Sequence, residues 1–301
     1  MATIKNSGIY IYGQLISLII STFVFANIMI VADNPTVWPY ALFLLVYLLI
    51  YINAQCYIYF KNIKVIETIP WYRYLLSGVC NFLGDYFLFL AYSKTTSYII
   101  VLFSQLLYPK LVLIETFIFK SPSISIKKLI SFLSLIIFCF LANYINSNEK
   151  MYMSVAGILL VNLSNLSYAI NLFGQVSILE AVGIHHFLKR FSIFSIISGY
   201  IISIFHPNTL LNPMTLIRVY KTKLPYIILF MITKSIFLQS ISMYINSYGV
   251  VAFNASIISY SVYFGTMMMI INGNINWYAF LLFGLCIIAD LVLVSTSKIK
   301  T

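Results

Sequence analysis

Long apolar stretches alternate along this chain with short connections that carry charges or helix-breaking residues. A helix that spans a bilayer needs about 20 mostly apolar residues, and about ten stretches approach that length. They cover residues 10–31, 38–59, 71–92, 98–119, 129–144, 155–179, 187–205, 226–244, 250–271 and 277–294. The connections between them are too short to hold a soluble domain. The pattern predicts an all-α, polytopic membrane protein with ten transmembrane helices.

The composition favours a lipid environment. Of the 301 residues, 61% are hydrophobic and 8% are charged, whereas about a quarter of the residues in a soluble domain are charged. The net charge of +11 comes from Lys and Arg that separate the apolar stretches, which is typical of membrane loops and not of a nucleic-acid-binding face. The four cysteines lack the spacing of a metal site. We therefore expect a lipid bilayer as partner, and neither nucleic acid, metal nor cofactor.

Loop Lys and Arg residues also predict the orientation in the membrane. With ten helices, eleven of these residues fall on the side that holds both termini and five fall on the other side. Cytoplasmic loops are enriched in basic residues, so we expect both termini to be cytoplasmic. Whether the membrane is the plasma membrane or an endomembrane of the Golgi, the ER or another organelle stays open. Three of the five lie in loop 206–224, and a miscounted helix near this loop is an alternative.

The two halves of the chain show a faint similarity to each other. The first predicted helix contains Gly13-Gln14-Leu15, and the sixth contains Gly157-Ile158-Leu159. The third and eighth end on the Tyr-containing segments 91–95 and 243–247, each followed almost at once by another helix. Many transporter folds consist of inverted repeats. Within one transmembrane domain, 1–301, we predict five-helix halves at 8–146 and 152–297, which are inverted because five is an odd number.

Three charged residues fall near the middle of predicted helices: Asp85 in the third, Lys110 in the fourth and Lys234 in the eighth. A charge at the bilayer centre costs about 2.5 kcal/mol or more, so we expect Asp85 to be neutralised by Lys110 or Lys234. The functional interpretation is a solute or proton site in a central cavity. The alternative is a static ion pair that joins helices, or Lys side chains that extend toward the headgroups.

Uncharged polar residues form stripes at helical spacing. Asn81 and Tyr92 share a face of the third predicted helix with Asp85, and Tyr168 shares a face of the sixth with Asn171. Unsatisfied polar groups are costly in hydrocarbon, so these faces should point toward a cavity or a neighbouring helix. Several such stripes in one protein favour a shared polar interior.

The order and spacing of several patches resemble the drug/metabolite transporter superfamily, and more closely the F subgroup of solute carrier family 35. The patches are Leu75-Leu76-Ser77-Gly78, Asp85-Tyr86, Ala91-Tyr92-Ser93-Lys94-Thr95-Thr96, Pro109, Ser167-Tyr168-Ala169-Ile170-Asn171, and Asn254 with Ser261 and Tyr263. This resemblance covers nearly the whole chain. It implies two inverted halves around a central cavity that opens alternately to each side. Ser104 and Ser261 stand where the family commonly has acidic residues, and Lys110 replaces an apolar residue.

These observations together predict a secondary active transporter or exchanger for a small polar organic solute, and no enzyme. By the resemblance, the solute is nucleotide-sugar-like, nucleobase-like or another metabolite. A coupled proton or counter-substrate and a homodimer are compatible with the sequence. The candidate substrate-binding residues are Asn81, Asp85, Tyr92, Ser104, Lys110, Tyr168, Asn171, Lys234, Asn254, Ser261 and Tyr263.

Two other classes of function stay open. One is an integral membrane enzyme for a lipid or isoprenoid, although the seven acidic residues form no close pair along the sequence and such chemistry usually requires one. We interpret His185 and His186 as solvated loop residues, because adjacent side chains on a helix point apart. The other class is a membrane scaffold that transports nothing.

Overall fold

The computed structural model describes residues 2–31, 40–63, 69–92, 154–205 and 221–248, together with residues 94, 137, 250, 263, 281 and 285. Within these ranges the chain forms six α-helices and one 3-10 turn, Lys221–Lys223. The helices are α1 (Ala2–Val31), α2 (Tyr40–Phe60), α3 (Trp71–Tyr92), α4 (Val155–Val182), α5 (Ile184–Ile204) and α6 (Leu224–Tyr248).

Each of these six helices contains a segment long and apolar enough to cross a membrane. The prediction of an all-helical chain with membrane-spanning segments is therefore confirmed for the part of the chain that the structure describes. The predicted helices 98–119, 129–144, 250–271 and 277–294 lie outside the described residues, apart from isolated positions. The count of ten helices stays a prediction.

Two helices begin earlier than the apolar stretches in the sequence predict. α3 matches residues 71–92, but α1 begins at Ala2 instead of residue 10, because no proline interrupts the polar residues before the apolar run. α5 begins at Ile184 instead of residue 187, so His185 and His186 lie in its first turn. Their interpretation as solvated loop residues is wrong, since both are half-buried.

Backbone geometry at single residues sets several of these helix ends. Gly183 separates α4 from α5 with φ +76°, in the left-handed region that glycine enters at low cost. Asn62 after α2 has φ 49°, as Asn tolerates in a helix C-terminal cap. At the start of α4, the Ser154 side chain accepts a hydrogen bond from the Gly157 N–H at 3.4 Å. A turn of one residue between α4 and α5 makes these two helices antiparallel.

The helices pack in pairs that join the first three to the last three. α1 packs along α6, α2 along α5, and α3 along α4; α3 also contacts α5, and α2 also contacts α6. Contacting residues give the directions. Tyr57 stacks on His185 and Tyr47 contacts Phe191, so α2 and α5 are antiparallel. Asn53 donates a hydrogen bond to Gln239 at 2.9 Å.

Ring contacts and hydrogen bonds fix the remaining directions. α1 and α6 are antiparallel, because Phe25 contacts Tyr226 whereas the earlier Phe23 contacts Phe237. α3 and α4 are antiparallel, since residue 84 contacts residue 164 and residue 81 contacts residue 171. α2 and α6 are parallel, because residue 43 contacts residue 230 and residue 53 contacts residue 239. The end of α5 and the start of α6 therefore lie at the same end of the bundle.

Gly78 allows α3 to approach α5 closely. A Cβ atom at this position would lie 2.9 Å from the Phe194 Cβ and 3.0 Å from the Ser195 backbone nitrogen. Neither atom can move without shifting the α5 backbone. A Cβ atom added to Gly174 in α4, in contrast, would have no neighbour within 4 Å. Gly78 and Gly174 are therefore a crowded and an open helical position that can be compared by the same substitution.

We predict that Gly78→Ala lowers stability by about 1–3 kcal/mol, the usual cost of overpacking. The measurement is the apparent melting temperature of the purified protein in detergent. Gly174→Ala is the control, and it should be neutral or stabilising by up to about 1 kcal/mol, because alanine has the higher helix propensity. Equal shifts for the two variants would contradict the close packing of α3 on α5.

Candidate functional site

An ion pair between Asp85 and Lys234 lies inside the helix bundle. The Lys234 Nζ is 2.6 Å from Asp85 Oδ1, and the two residues are 4% and 2% exposed. Asp85 belongs to the buried face of α3 and Lys234 to the buried face of α6. Two opposite charges at this distance compensate each other in a medium where water cannot. Lys234 is thus the partner for Asp85, whereas Lys110 lies outside the described residues.

Two tyrosine hydroxyls complete the surroundings of the Asp85 carboxylate. The Tyr168 hydroxyl of α4 donates to Oδ1 at 2.6 Å, and the Tyr47 hydroxyl of α2 donates to Oδ2 at 3.2 Å. With Lys234, the carboxylate accepts from three donors on three different helices. Hydrogen bonds to an ionised group are among the strongest in proteins. Asp85 therefore joins α2, α3, α4 and α6 at one point.

A chain of amide hydrogen bonds leads to this carboxylate. The Asn81 amide donates to the Tyr47 hydroxyl at 2.5 Å, the Asn171 amide donates to Asn81 Oδ1 at 3.2 Å, and the Gln175 amide donates to Asn171 Oδ1 at 2.9 Å. The Ser77 hydroxyl also donates to Asn171 Oδ1. Every donor along this chain points toward the negative charge. Hydrogen bonds aligned in this way polarise one another, which stabilises the ionised carboxylate.

Aromatic rings surround the ammonium group of Lys234. Its Nζ lies 4.8 Å from the centroid of the Phe23 ring on α1 and 5.8 Å from that of the Phe237 ring on α6. Cations are attracted to ring faces at such distances. Lys234 therefore has one carboxylate partner and two aromatic neighbours, which we call the aromatic pair. Asp85, its donors Tyr47, Tyr168 and Lys234, the amide chain with Ser77, and the aromatic pair together make up the polar network.

A close approach of α3 and α4 positions Tyr168. A Cβ atom on Gly84 would lie 2.8 Å from the Tyr168 ring, so the ring packs directly on the α3 backbone. Ser164, one turn earlier in α4, donates to the Gly84 carbonyl at 2.8 Å. Small residues and Ser hydroxyls are the usual means of close helix packing in membranes. The absence of a side chain at residue 84 is what lets the Tyr168 hydroxyl reach Asp85.

Five of the sequence candidates meet in the polar network: Asn81, Asp85, Tyr168, Asn171 and Lys234. Their role in binding a substrate stays a prediction. The candidates Ser104, Lys110, Asn254 and Ser261 lie outside the described residues.

Two further candidates have other surroundings. The Tyr92 hydroxyl is buried and has no hydrogen-bond partner among the described residues. The Tyr263 hydroxyl donates to Gln14 of α1, nine residues before Phe23 of the aromatic pair.

Sequence reasoning missed Tyr47, which is fully buried and links the amide chain to Asp85. Tyr47 lies in an almost wholly apolar helix, and a tyrosine there is as compatible with simple packing as with a polar site. The only signal in the sequence is its position on the buried stripe Phe43, Tyr47, Ile50 and Ala54. Ser77 and Gln175 extend polar stripes that the sequence does display.

The polar network can bind and orient a charged group but resembles no acid–base or metal centre. Its one carboxylate is held by an ammonium and two hydroxyls, which leaves it poorly suited to accept a proton from a substrate. Among the described residues, no group of three His, Cys, Asp or Glu side chains could hold a metal ion. His185 lies in the first turn of α5, away from the polar network. Its ring stacks on that of Tyr57, with 3.6 Å between the two ring centroids.

No family model and no curated protein matches the sequence. The fold does match solved structures. One of them, a crystal structure of a protein, aligns with this chain at a TM-score of 0.70. The alignment covers 96% of this chain and 98% of the other, at 13% sequence identity. At this level of identity the likeness shows the fold alone, since one fold supports many functions.

We predict that Lys234→Met lowers stability by about 3–5 kcal/mol, because it removes the cation paired with the buried Asp85 carboxylate, for which two neutral hydroxyl donors do not substitute. Adding Asp85→Asn should recover most of that loss, since the double variant buries no charge. Unfolding of the purified protein in detergent, followed by its helical signal, measures both effects. Lys221→Met in the exposed 3-10 turn is the control, with an expected change within about 0.5 kcal/mol. A double variant no more stable than Lys234→Met would contradict the pairing.

Proposed function

We propose that the protein is a secondary active transporter or exchanger that moves a small polar organic solute by alternating access. The observation that carries the proposal is the polar network, which lies between helices of both predicted halves. Asp85 and Tyr47 come from the first half, whereas Tyr168, Asn171 and Lys234 come from the second. Buried charges inside a membrane bundle commonly mark solute or ion pathways.

The packing of the helices supports two inverted halves. Exchanging α1 with α4, α2 with α5 and α3 with α6 turns each of the five most extensive helix pairings into another of these five. Thus α3 on α4 becomes α6 on α1, α2 on α5 is unchanged, and α3 on α5 becomes α6 on α2. Under the directions given above, each exchanged pair also runs in opposite directions. Inverted-repeat transporters have such an arrangement, with the site at the interface of the repeats.

Contacts within the polar network follow the same exchange. Asp85 of α3 contacts Tyr168 of α4, and Lys234 of α6 contacts Phe23 of α1. Each half thus supplies one charged residue and two aromatic residues to the centre: Asp85, Tyr47 and Phe23 from the first half, and Lys234, Tyr168 and Phe237 from the second. In the proposed mechanism the halves rock about this centre, and the solute lowers the barrier because it interacts differently with the two states. A coupled proton or a counter-substrate is part of the proposal.

The distribution of basic residues supports the proposed orientation. The helix directions place Lys61, Arg73, Lys189 and Arg190 at one end of the bundle, and Lys94, Lys221 and Lys223 at the other. Under the positive-inside rule the first end faces the cytoplasm. α5 ends and α6 begins at the same end of the bundle, which is what the proposed orientation with cytoplasmic termini requires.

The resemblance to the drug/metabolite transporter superfamily supports the same function. Its patches 75–78, 85–86 and 167–171 lie in α3 and α4, and they contain Ser77, Asp85, Tyr168 and Asn171 of the polar network. Polar residues in these patches face the bundle interior, where a solute could meet them. We therefore retain membership of this superfamily, and of the F subgroup of solute carrier family 35, as part of the proposal.

Uptake by proteoliposomes tests the proposal. Vesicles that contain the purified chain are incubated with a metabolite mixture, and the accumulated solutes are identified by mass spectrometry against protein-free vesicles. We predict that Tyr168→Phe reduces accumulation about tenfold, because it removes one hydrogen bond to the charged Asp85. Tyr168→Phe keeps the ring that packs on Gly84, so the variant should still fold.

Tyr200→Phe is the matched control, because Tyr200 is 57% exposed on α5, and it should transport like the unaltered protein. Equal loss in both variants, or no solute that accumulates in the vesicles, would count against a transporter. A membrane enzyme would instead convert a lipid in detergent without any gradient. A scaffold would do neither.

A further inference from the structure

The two charged groups at the centre of the bundle differ in how much of their hydrogen-bonding capacity is used. The Asp85 carboxylate accepts from Lys234, Tyr168 and Tyr47, and a carboxylate has about four acceptor sites. The Lys234 ammonium has three donors and, among the described contacts, makes one hydrogen bond, to Asp85. Its other close neighbours are the faces of the aromatic pair. The carboxylate is nearly saturated, whereas the ammonium is not.

The Tyr92 hydroxyl adds a second unused group next to the same carboxylate. It is buried and makes no hydrogen bond in the part of the chain that the structure describes. Tyr92 follows Asp85 by seven residues, which places both on the same face of α3. A buried polar group without a partner is costly. The unused capacity beside the ion pair is therefore mainly capacity to donate.

We propose that Lys234 binds an oxyanion of the solute, a carboxylate or a phosphate, which replaces Asp85 as partner of the ammonium. This inference rests on the proposed transport function and names the chemical class of its solute. The oxyanion accepts from Lys234, and the Tyr92 hydroxyl, further along the same face of α3, is a donor for another polar group of the solute. The displaced Asp85 carboxylate keeps Tyr47 and Tyr168 as donors, so it is not left unpaired.

Addition and replacement both bring one negative charge to the centre, so the donors decide between them. The Asp85 carboxylate has two hydroxyl donors besides Lys234, so it can give up the ammonium to a solute oxyanion and keep hydrogen bonds of its own. When the solute takes the place of Asp85, the link between α3 and α6 is broken. These two helices belong to different predicted halves, so solute binding acts directly on the contact that holds the halves together.

The aromatic pair favours a flat apolar body on the solute. The ring centroids of Phe23 and Phe237 lie 4.8 and 5.8 Å from the Lys234 ammonium, and rings of this kind stack on other rings. Suitable probes therefore combine one aromatic ring with one variable group. Benzoate carries a carboxylate, phenyl phosphate carries a phosphate, and benzamide has the shape of benzoate without its charge.

Binding of these three probes to the purified full chain in detergent, measured by calorimetry, tests the inference. We expect benzoate or phenyl phosphate to bind at least about tenfold more tightly than benzamide, because hydrogen bonds to charged groups are the stronger ones. The tighter of the two oxyanions identifies carboxylate or phosphate as the recognised group. Asp85→Asn removes the competitor for Lys234, so oxyanion affinity should rise by about a further tenfold while benzamide affinity stays the same.

The double variant Asp85→Asn with Lys234→Met buries no charge and should fold, yet it should lose the preference for oxyanions. Lys221→Met changes a lysine in the exposed 3-10 turn and should keep it. Benzamide binding as tightly as both oxyanions, a preference that survives in the double variant, or no gain of oxyanion affinity in Asp85→Asn would each overturn the inference. Absence of any binding to both the unaltered protein and Asp85→Asn would overturn it as well.

Uptake of the same probes into proteoliposomes separates this inference from the proposed function. An oxyanion preference in detergent without accumulation in vesicles would remove the transporter and leave the oxyanion site. Accumulation of solutes in vesicles without an oxyanion preference would remove the oxyanion site and leave the transporter.

Discussion

The ion pair between Asp85 and Lys234 is the constraint on which the arrangement of the bundle depends. Hydrocarbon offers no water or counter-ion, so a charge there must be compensated by the protein itself. A pair 2.6 Å apart fixes α3 against α6, and the hydroxyls of Tyr47 and Tyr168 then bring α2 and α4 to the same point. The buried faces of the helices consequently combine the polar residues of the network with apolar residues such as Phe82 and Phe230, while large apolar residues also lie on the outer faces.

Sequence reasoning predicted the helices well where an apolar run has the length of a membrane crossing and a proline stands before it. α3, which follows Pro70, matches residues 71–92. The predicted start of α5 was wrong, because this helix begins directly after Gly183, whose φ is positive. Hydrophobicity does not report backbone conformation, so His185 looked like a loop residue although it is helical.

The charged residues of the site were predictable from the sequence, whereas the contacts between its residues were not. A charge in the middle of an apolar run is conspicuous, and the same cost that makes Asp85 and Lys234 rare implies that each has a partner. Which lysine pairs with Asp85 depends on tertiary packing, which no local pattern contains. Tyr47 was missed for a different reason. Its hydroxyl accepts a hydrogen bond from Asn81 of α3, and the residue spacing within α2 does not indicate a contact with another helix.

The aromatic pair gives the Lys234 ammonium neighbours besides its carboxylate partner. An ammonium with no neighbour except one carboxylate would lose all its compensation if the carboxylate moved away, and the pair would be effectively permanent. Phe23 and Phe237 keep part of that compensation in place, since a desolvated cation near ring faces is stabilised by about 2 kcal/mol. Asp85 likewise keeps two hydroxyl donors. Both charges therefore retain partners on separation, which lowers the cost of the change of partner that the proposed mechanism requires.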